Sequence, residues 1–212
     1  MIVKRVKLLF GVGINDADYV VKIQEDLDKI DGKRRRVQIW CCPFYTKWKQ
    51  MLTRCYSKNY QERRSRYVDC FVCEDWLRFS NFKSWMETQD WEGKELDKDL
   101  LVRDNKTYSP ETCVFVSRQV NQFLVESNSV RGEYPIGVSW HKDVKKFRAS
   151  ISTKGQRKQI GYFNTIEEAH KAWLEAKIEA AYELATEQDD PRVAAAIISR
   201  YEQYEMFGEE RQ

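Results

Sequence analysis

Apolar and polar positions alternate along three short segments in the last third of the chain: 136–140, 146–152 and 158–163. Successive side chains of a strand point to opposite faces, so this alternation predicts β-strands. In the middle segment, Phe147 and Ile151 fall on one face, whereas Arg148 falls on the other. The pattern predicts a three-stranded antiparallel sheet with one apolar face and one polar, basic face.

Helical spacing begins directly after the third predicted strand. Thr165 is a favourable N-cap residue, and Glu168 three positions later completes a capping box. An apolar stripe follows at intervals of three and four residues: Ala169, Trp173, Ala176, Ala180 and Leu184. A helix with such a stripe packs on an apolar surface, so we expect it to cover the apolar face of the sheet. The pair Asp190-Pro191 ends this helix, and a last helix is predicted over 192–207.

Two more helices are predicted nearer the amino terminus, over 44–56 and 76–86. Each carries a stripe of apolar residues: Phe44, Trp48, Met51, Leu52 and Cys55 in the first, and Trp76, Phe79, Phe82, Trp85 and Met86 in the second. Aromatic residues at this spacing are more typical of a core than of a ligand site. A strand is predicted over 2–10, followed by a mixed segment that ends in the basic run 33–36.

Length and composition are those of a globular protein with one or two domains. The chain has 212 residues, of which 42% are hydrophobic and 13% aromatic. The patterns divide it into an amino-terminal segment (1–40), a cysteine- and aromatic-rich domain (41–123), a polar linker (124–135), a sheet-and-helix domain (136–188) and a terminal helix (189–212). The predicted fold class is α+β.

The net charge is only +3, but the charges are distributed unevenly. Residues 33–66 carry eleven Lys and Arg against one acid, and residues 131–158 carry eight against two. Residues 165–212 carry twelve acids against five bases. Basic clusters are expected where a protein contacts a phosphate backbone, although a solvated surface gives the same pattern. Because one cluster lies within the predicted sheet, nucleic acid is the favoured ligand.

The polar face of the predicted sheet carries side chains suited to DNA. Arg binds guanine and Gln binds adenine through paired hydrogen bonds, and a narrow sheet fits the major groove. The candidate DNA-binding residues lie in and beside the strands: Ser139, His141, Arg148, Ser150, Ser152, Lys154, Arg157 and Gln159. The expected partner is double-stranded DNA.

Four motifs in this segment resemble a known family: Ile136-Gly137-Val138, Phe147-Arg148-Ala149, Ile160-Gly161-Tyr162-Phe163 and Thr165-x-Glu167-Glu168-Ala169. The segment resembles the Apetala/ethylene-response-factor DNA-binding domain, in its phage and homing-endonuclease version. The resemblance implies that the polar strand positions face DNA. The plant family has larger, more basic residues where Ser150 and Ser152 stand. We therefore expect modest affinity from this sheet, with residues 33–66 supplying much of the rest.

The chain has six cysteines, and we expect no export signal, because the start of the sequence lacks a long apolar core and a small-residue cleavage site. No run approaches the roughly 18 apolar residues of a membrane span. We expect a cytoplasmic protein with reduced thiols or metal-bound cysteines. The spacing Cys70-x-x-Cys73 is that of a zinc knuckle, which two of Cys55, Cys113 and Cys42 would complete. We favour Cys55 and Cys113 for this set, and buried reduced thiols are the alternative.

A second resemblance rests on five motifs: Trp48-Lys-Gln-Met-Leu-Thr-Arg-Cys-Tyr56, Val72-Cys-Glu-Asp-Trp-Leu-x-Phe-x-Asn-Phe82, Leu96-Asp-Lys-Asp99, Tyr108-Ser-Pro-Glu-Thr-Cys113 and Asn121. These resemble phage HNH-type endonucleases of the His-Me finger group. Such enzymes hold a divalent metal and a base that activates water. The resemblance implies a small ββα nuclease-type domain in which Asp97 and Asn121 hold Mg²⁺ or Mn²⁺.

The general-base position of this resemblance falls on Lys98. Both histidines of the chain, His141 and His170, lie in the sheet-and-helix segment instead. A lysine with an ordinary pKa near about 10.4 is a poor base at neutral pH. Either Lys98 or Asp99 acts as the base, or the site is inactive. A solvated turn with local ion pairing accounts for the same residues without any catalysis.

Three functions follow from these patterns. The first is a phage DNA endonuclease, nicking or homing-like, which the basic sheet positions on DNA. The second is a DNA-binding or regulatory protein without catalysis, built on a nuclease scaffold, because residues 41–123 contain no histidine. The third is a phage factor that binds a host protein through the acidic, alanine-rich carboxyl-terminal helices.

Overall fold

The computed structural model describes residues 8–30, 33–125 and 133–207. The fold is α+β, built from small sheets and six α-helices within these residues, as the sequence predicts. The chain divides into two compact units between Phe115 and Val116, inside a strand and ahead of the predicted boundary after 123. No helix in the described part of the chain is long and apolar enough to cross a membrane.

The first unit contains an antiparallel hairpin of β1 (Lys22–Ile30) and β2 (Lys33–Cys41). This hairpin was not predicted from the sequence. Residues 23–26 and 36–40 are exposed on both faces, so no alternation of apolar and polar positions marks the strands. One signal was present in the sequence, because the pair Asp31-Gly32 separates the two strands and favours a tight hairpin turn.

Two of the predicted segments fall largely outside the described residues. Most of the strand predicted over 2–10 lies there, at 2–7. Within the rest of that strand, Leu9 forms an isolated antiparallel bridge with Gly13. The predicted linker 124–135 also lies mostly outside, at 126–132.

The predicted helix over 44–56 is confirmed as α1 (Pro43–Tyr56), which is followed by the short α2 (Lys58–Arg63). Pro43 occupies the first turn, where a missing N–H leaves no helical hydrogen bond unmade. The predicted stripe is the buried side of α1, with Trp48, Met51, Leu52 and Cys55 in the core.

The helix predicted over 76–86 is divided in two. A 3₁₀ turn (Glu74–Leu77) precedes α3 (Phe79–Glu87), and Arg78 between them has extended backbone. The cause is a contact from a distant part of the chain. The Ile14 N–H donates to the Leu77 carbonyl at 2.8 Å, and the Phe79 N–H donates to the Ile14 carbonyl at 3.0 Å. This pairing occupies backbone groups that a continuous helix would use.

Aromatic side chains fill the core between α1 and α3. The Trp48 indole N–H donates to the Trp76 carbonyl at 2.7 Å, so this buried donor is satisfied. The Trp48 ring lies 5.5 Å from Phe79, and the Trp76 ring lies 5.1 Å from Phe82 in edge-to-face geometry. The aromatic stripes are therefore core, as their spacing predicts.

Two small sheets complete this part of the chain. Strand β3 (Phe71–Val72) pairs in parallel with β5 (Thr107–Tyr108), and β4 (Glu95–Asp97) lies beside β6 (Val114–Val116). Helix α4 (Arg118–Leu124) follows β6 directly, capped by the Ser117 hydroxyl, which accepts from the Val120 N–H at 3.2 Å.

The second unit contains the predicted antiparallel sheet, with the order β7 (Val138–His141), β8 (Lys146–Thr153) and β9 (Gln156–Phe163). Helix α5 (Ile166–Thr186) begins with the predicted capping box and packs on the apolar face of the sheet. A last helix, α6 (Pro191–Phe207), follows. The buried residues between sheet and helix are Ala149, Ile151, Ala169 and Trp173.

Gly137 sets the distance between the sheet and α5. Its backbone φ is +83°, and a Cβ atom at this position would lie 2.0 Å from Cδ1 of Trp173. Both the backbone conformation and the close approach of the indole ring therefore require glycine.

Lys177 joins three helices of the second unit. Its side chain is buried in α5, and Nζ donates to the Phe123 carbonyl of α4 at 2.8 Å. The ammonium also lies 3.4 Å from the centroid of the Phe123 ring. The Tyr201 hydroxyl of α6 donates to the same carbonyl at 3.0 Å. Helix α4 is thus held by both long helices.

Candidate nucleic-acid interface

The face of the β7–β9 sheet opposite α5 is polar and positively charged. Directly paired residues of antiparallel strands lie on the same face. Ser139 pairs with Arg148, and Ser152 pairs with Arg157. Seven of the eight candidate DNA-binding residues share this face: Ser139, His141, Arg148, Ser150, Ser152, Arg157 and Gln159. Together with Lys146 and Tyr162, described below, they form what we term the basic face.

A β-bulge changes the alternation of side chains along β9. Ile160 is an extra residue at which the register with β8 shifts. Before the bulge, Gln159 pairs with Ser150, and after it Tyr162 pairs with Arg148. Gln159 and Tyr162 are three residues apart yet lie on one face. Strict alternation places Tyr162 on the opposite face, which is why sequence reasoning missed it.

Arg148 and Arg157 are each held by a serine of the neighbouring strand. The Nε and Nη2 groups of Arg148 donate to the Ser139 hydroxyl at 3.3 and 3.2 Å. The same two groups of Arg157 donate to the Ser150 hydroxyl at 3.1 and 2.8 Å. The two contacts thus use the same edge of the guanidinium and the same kind of acceptor.

The held edge determines which donors remain for a ligand. A guanidinium carries five N–H groups in a rigid plane. The serine contacts use the side edge, formed by the Nε–H and the nearer N–H of Nη2. The end-on edge, formed by Nη1 and the second N–H of Nη2, is not part of them. This edge presents two parallel donors, which match the paired acceptors of a guanine base or of a phosphate.

Ser150 was expected to face DNA, but in the structure its side chain is buried against a neighbouring arginine. Its residue is only 6% exposed, and its hydroxyl accepts from Arg157. Ser152, two positions later and on the same face, is exposed. The two serines of β8 therefore have different contacts, because Ser150 accepts hydrogen bonds from an arginine whereas Ser152 is exposed to solvent.

The remaining candidates lie at the edges of the sheet. The His141 ring contacts the Tyr162 ring edge-on at 5.3 Å, and Gln159 is exposed. Lys154 lies in the turn between β8 and β9, where its φ is +50°. Its ammonium donates to the Glu187 carboxylate at 2.9 Å, an exposed ion pair at the end of α5.

Lys146 is a second residue that the sequence analysis left out of the site. It pairs with His141 and precedes Arg148 by two positions, so it lies on the basic face. Its alternation with Arg148 along the strand was the signal that indicated this position.

Asp97, Lys98 and Asp99 lie together at the end of β4. The Asp97 carboxylate accepts the backbone N–H groups of Asp99 and Leu100, each at 2.7 Å, and so closes a turn. Lys98 is buried, and its ammonium donates to the Asp99 carboxylate and to the Asn105 carbonyl. The Lys98 side chain thus acts as a hydrogen-bond donor in both contacts.

Asn121 lies in α4, within the second unit, and its backbone N–H donates to the Ser117 carbonyl at 3.0 Å. Asp97 lies in the first unit. The joint metal site of these two residues stays a prediction.

All six cysteines are unpaired thiols. In the proposed zinc set, Cys55, Cys70 and Cys113 are buried, whereas Cys73 is partly exposed. Burial raises the pKa of Cys55 and of Cys113 to about 12, so both carry a proton at neutral pH. Among the described residues, no group of three or more His, Cys, Asp or Glu side chains is arranged to hold a metal ion. Zinc binding stays a prediction.

Comparison with known proteins adds no relative to this picture. No protein-family model, curated protein or solved structure matches the chain.

Proposed function

We propose that this protein binds double-stranded DNA through the basic face. One observation carries the proposal: Arg148 and Arg157 are both fixed by serine hydroxyls, with the end-on edge of each guanidinium outside that contact. A side chain that is already held loses less conformational freedom when it binds. Paired donors from a fixed guanidinium suit guanine in the major groove and phosphate oxygens of the backbone.

The charge around the basic face supports an anionic ligand. Exposed lysines lie on this face or in the turn that leads to it: Lys142, Lys145 and Lys146. Such residues contribute sequence-independent attraction to phosphates, whereas the two arginines supply directed hydrogen bonds. Helix α5 packs on the opposite side of the sheet and leaves the basic face uncovered by this helix.

The proposal is tested with Arg148→Gln and Arg157→Gln, alone and combined. A duplex that the wild-type protein prefers is first selected from a random library. Fluorescence anisotropy then measures its affinity at several salt concentrations. Each substitution is expected to weaken binding by about 1–3 kcal/mol, the usual contribution of a bidentate arginine contact to a base.

Lys171→Gln is the matched control for loss of one positive charge. Lys171 lies in α5 with 79% of its side chain exposed, away from the paired strands of the sheet. We expect it to leave affinity nearly unchanged. The proposal fails if Lys171→Gln weakens binding as much as the arginine variants do, or if the double arginine variant binds like the wild type.

A second candidate function is metal-dependent DNA cleavage. Supporting it is the order of elements around Asp97, since β4 ends at this residue and lies beside β6, which leads directly into α4. Two strands and a helix in this order are the arrangement that the HNH resemblance implies. Lys98 is buried and ion-paired, which argues against a role as the base, so Asp99 would have to activate water.

Cleavage is tested on supercoiled plasmid with Mg²⁺ and with Mn²⁺. If the protein is a nuclease, Asp97→Asn is expected to lower the nicking rate about a hundredfold or more, because it removes a metal-binding charge. This substitution keeps a side-chain oxygen that can still accept the two backbone N–H groups of the turn. Asp90→Asn, at an exposed ion pair with Lys94, is the control and should cleave normally. If the wild-type protein binds DNA but never nicks it, the cleavage proposal is refuted and only the proposed DNA binding remains.

A further inference from the structure

The first unit contains a pocket that none of the proposed DNA-binding residues lines. It has a volume of about 480 Å³ and lies between α1, α2 and β4. This volume is in the range of small-molecule sites, about 300–1,000 Å³. We term it the α1 pocket, and its polar lining residues are Lys47, Gln50, Thr53, Arg54, Tyr60 and Glu95.

Arg54 lines the α1 pocket, with its guanidinium carbon 5.6 Å from the centroid of the Tyr67 ring. It is partly buried, and Nη1 donates at long range to the Leu96 carbonyl (3.3 Å) and to the Tyr108 hydroxyl (3.4 Å). Among the described residues, no carboxylate forms an ion pair with its guanidinium. A cation withdrawn from water without an anionic partner costs free energy. Its position at the pocket therefore favours an anionic ligand.

Lys47 brings a second positive charge to the same pocket. Its ammonium donates to the Lys94 carbonyl at 2.6 Å, and burial lowers its pKa while nearby Glu95 raises it. Glu95 is the one carboxylate that lines the pocket, against the two cations. The charged side chains that line the pocket therefore have a net positive charge.

The polar side chains around the two cations suggest a ligand larger than a simple ion. Gln50 offers an amide, and Tyr60 offers a phenol ring and a hydroxyl. The Thr53 hydroxyl donates to the Lys49 carbonyl at 2.7 Å and keeps its oxygen as an acceptor. Phosphate with an attached sugar and base would match these charges and this volume.

We propose that the α1 pocket binds the phosphoryl group of a nucleotide, with Arg54 as the principal anchor and Lys47 as the second cation. The phosphoryl group belongs either to a free nucleotide or to a DNA strand. The pocket shares no residue with the basic face, so this site stands or fails independently of the proposed function.

The test is a titration of the full chain with inorganic phosphate and with thymidine monophosphate, followed by nuclear magnetic resonance. We expect saturable shifts of the backbone amide signals of Gln50, Thr53 and Tyr60. Arg54→Gln should weaken the binding of both ligands about tenfold or more, as expected for loss of a charge-assisted hydrogen bond. Lys47→Gln should also weaken binding, and it serves in place of Arg54→Gln if that variant does not fold.

Lys49→Gln is the matched control, because Lys49 is an exposed lysine of the same helix that does not line the pocket. Absence of saturable shifts, or equal weakening by Lys49→Gln, overturns the proposal. Tighter binding of thymidine monophosphate than of phosphate assigns the site to free nucleotides. Equal affinity for the two ligands, with weaker duplex binding by Arg54→Gln, assigns it to a DNA strand.

Discussion

At the scale of single residues, two of the three serines of the basic face, Ser139 and Ser150, contact its arginines. A serine in a DNA-facing position suggests a weak direct contact and a diluted positive charge. In the structure, Ser139 and Ser150 accept hydrogen bonds from Arg148 and Arg157 instead. If the basic face binds DNA, serines that fix the direction of the arginines would increase sequence selectivity without changing the positive charge.

Removing these hydroxyls tests that role. Ser139→Ala and Ser150→Ala are each expected to lower affinity for the preferred duplex about three- to tenfold, the effect of one lost hydrogen bond. Affinity for unrelated duplexes and its salt dependence should stay nearly constant, because no charge is removed. Competition binding against a scrambled duplex measures the discrimination between the two.

Two substitutions control this experiment. Serine-to-threonine variants keep the hydroxyl and should retain most of the discrimination. Ser152→Ala alters a serine that pairs directly with Arg157 in the ladder, although the arginine donates to Ser150. Equal loss of discrimination in Ser152→Ala and in Ser150→Ala would contradict a positioning role for Ser150.

The face of the sheet on which a residue lies was easier to predict from the sequence than the contacts that its side chain makes. Alternation along β8 placed Arg148 correctly opposite the apolar face, because strand geometry is local. The ion pair of Lys98 with Asp99 and the burial of its side chain depend on the loop around Asn105, which packs back onto β4. No local pattern encodes such a contact.

At the scale of secondary-structure elements, the contact of Gly137 with Trp173 determines how closely the sheet packs on α5. Gly137→Ala is expected to lower the free energy of unfolding by about 2–5 kcal/mol, combining overpacking with a side chain at positive φ. Urea denaturation followed by fluorescence measures this change.

Gly155→Ala separates the two causes. Gly155 also has positive φ (+75°), but a Cβ atom there would meet no atom within 4 Å. Its substitution should cost only about 1–2 kcal/mol, the conformational part alone. Equal destabilisation by both variants would show that the indole ring moves aside without cost.

Elements with a continuous apolar stripe were predicted well, and elements shaped by distant partners were not. Helices α1 and α5 follow their stripes and caps, which are local features. The helix predicted over 76–86 is interrupted because Ile14 pairs with the backbone on both sides of Arg78. The bulge at Ile160 is equally hidden, since it is defined by the register of a partner strand.

At the scale of the whole molecule, basic residues occur in both compact units. The sequence predicted the α+β class and the antiparallel sheet on one helix, because patterning determines such features. The division between Phe115 and Val116 was not predicted, since it depends on which elements pack together. The α1 pocket likewise joins residues from three elements, and no sequence motif marks it.

The contact of Lys177 with Phe123 limits how this protein can be divided for study. A fragment confined to 136–188 keeps the sheet and α5 but loses the carbonyl that accepts from the Lys177 ammonium, together with Tyr201. Such a fragment would lose a hydrogen bond and a cation–π contact of a buried lysine, which lowers its stability. The smallest portable unit that keeps the basic face in its present packing therefore begins near Val116 and extends into α6. Transferring the proposed DNA-binding activity to another protein would mean moving three helices with the sheet.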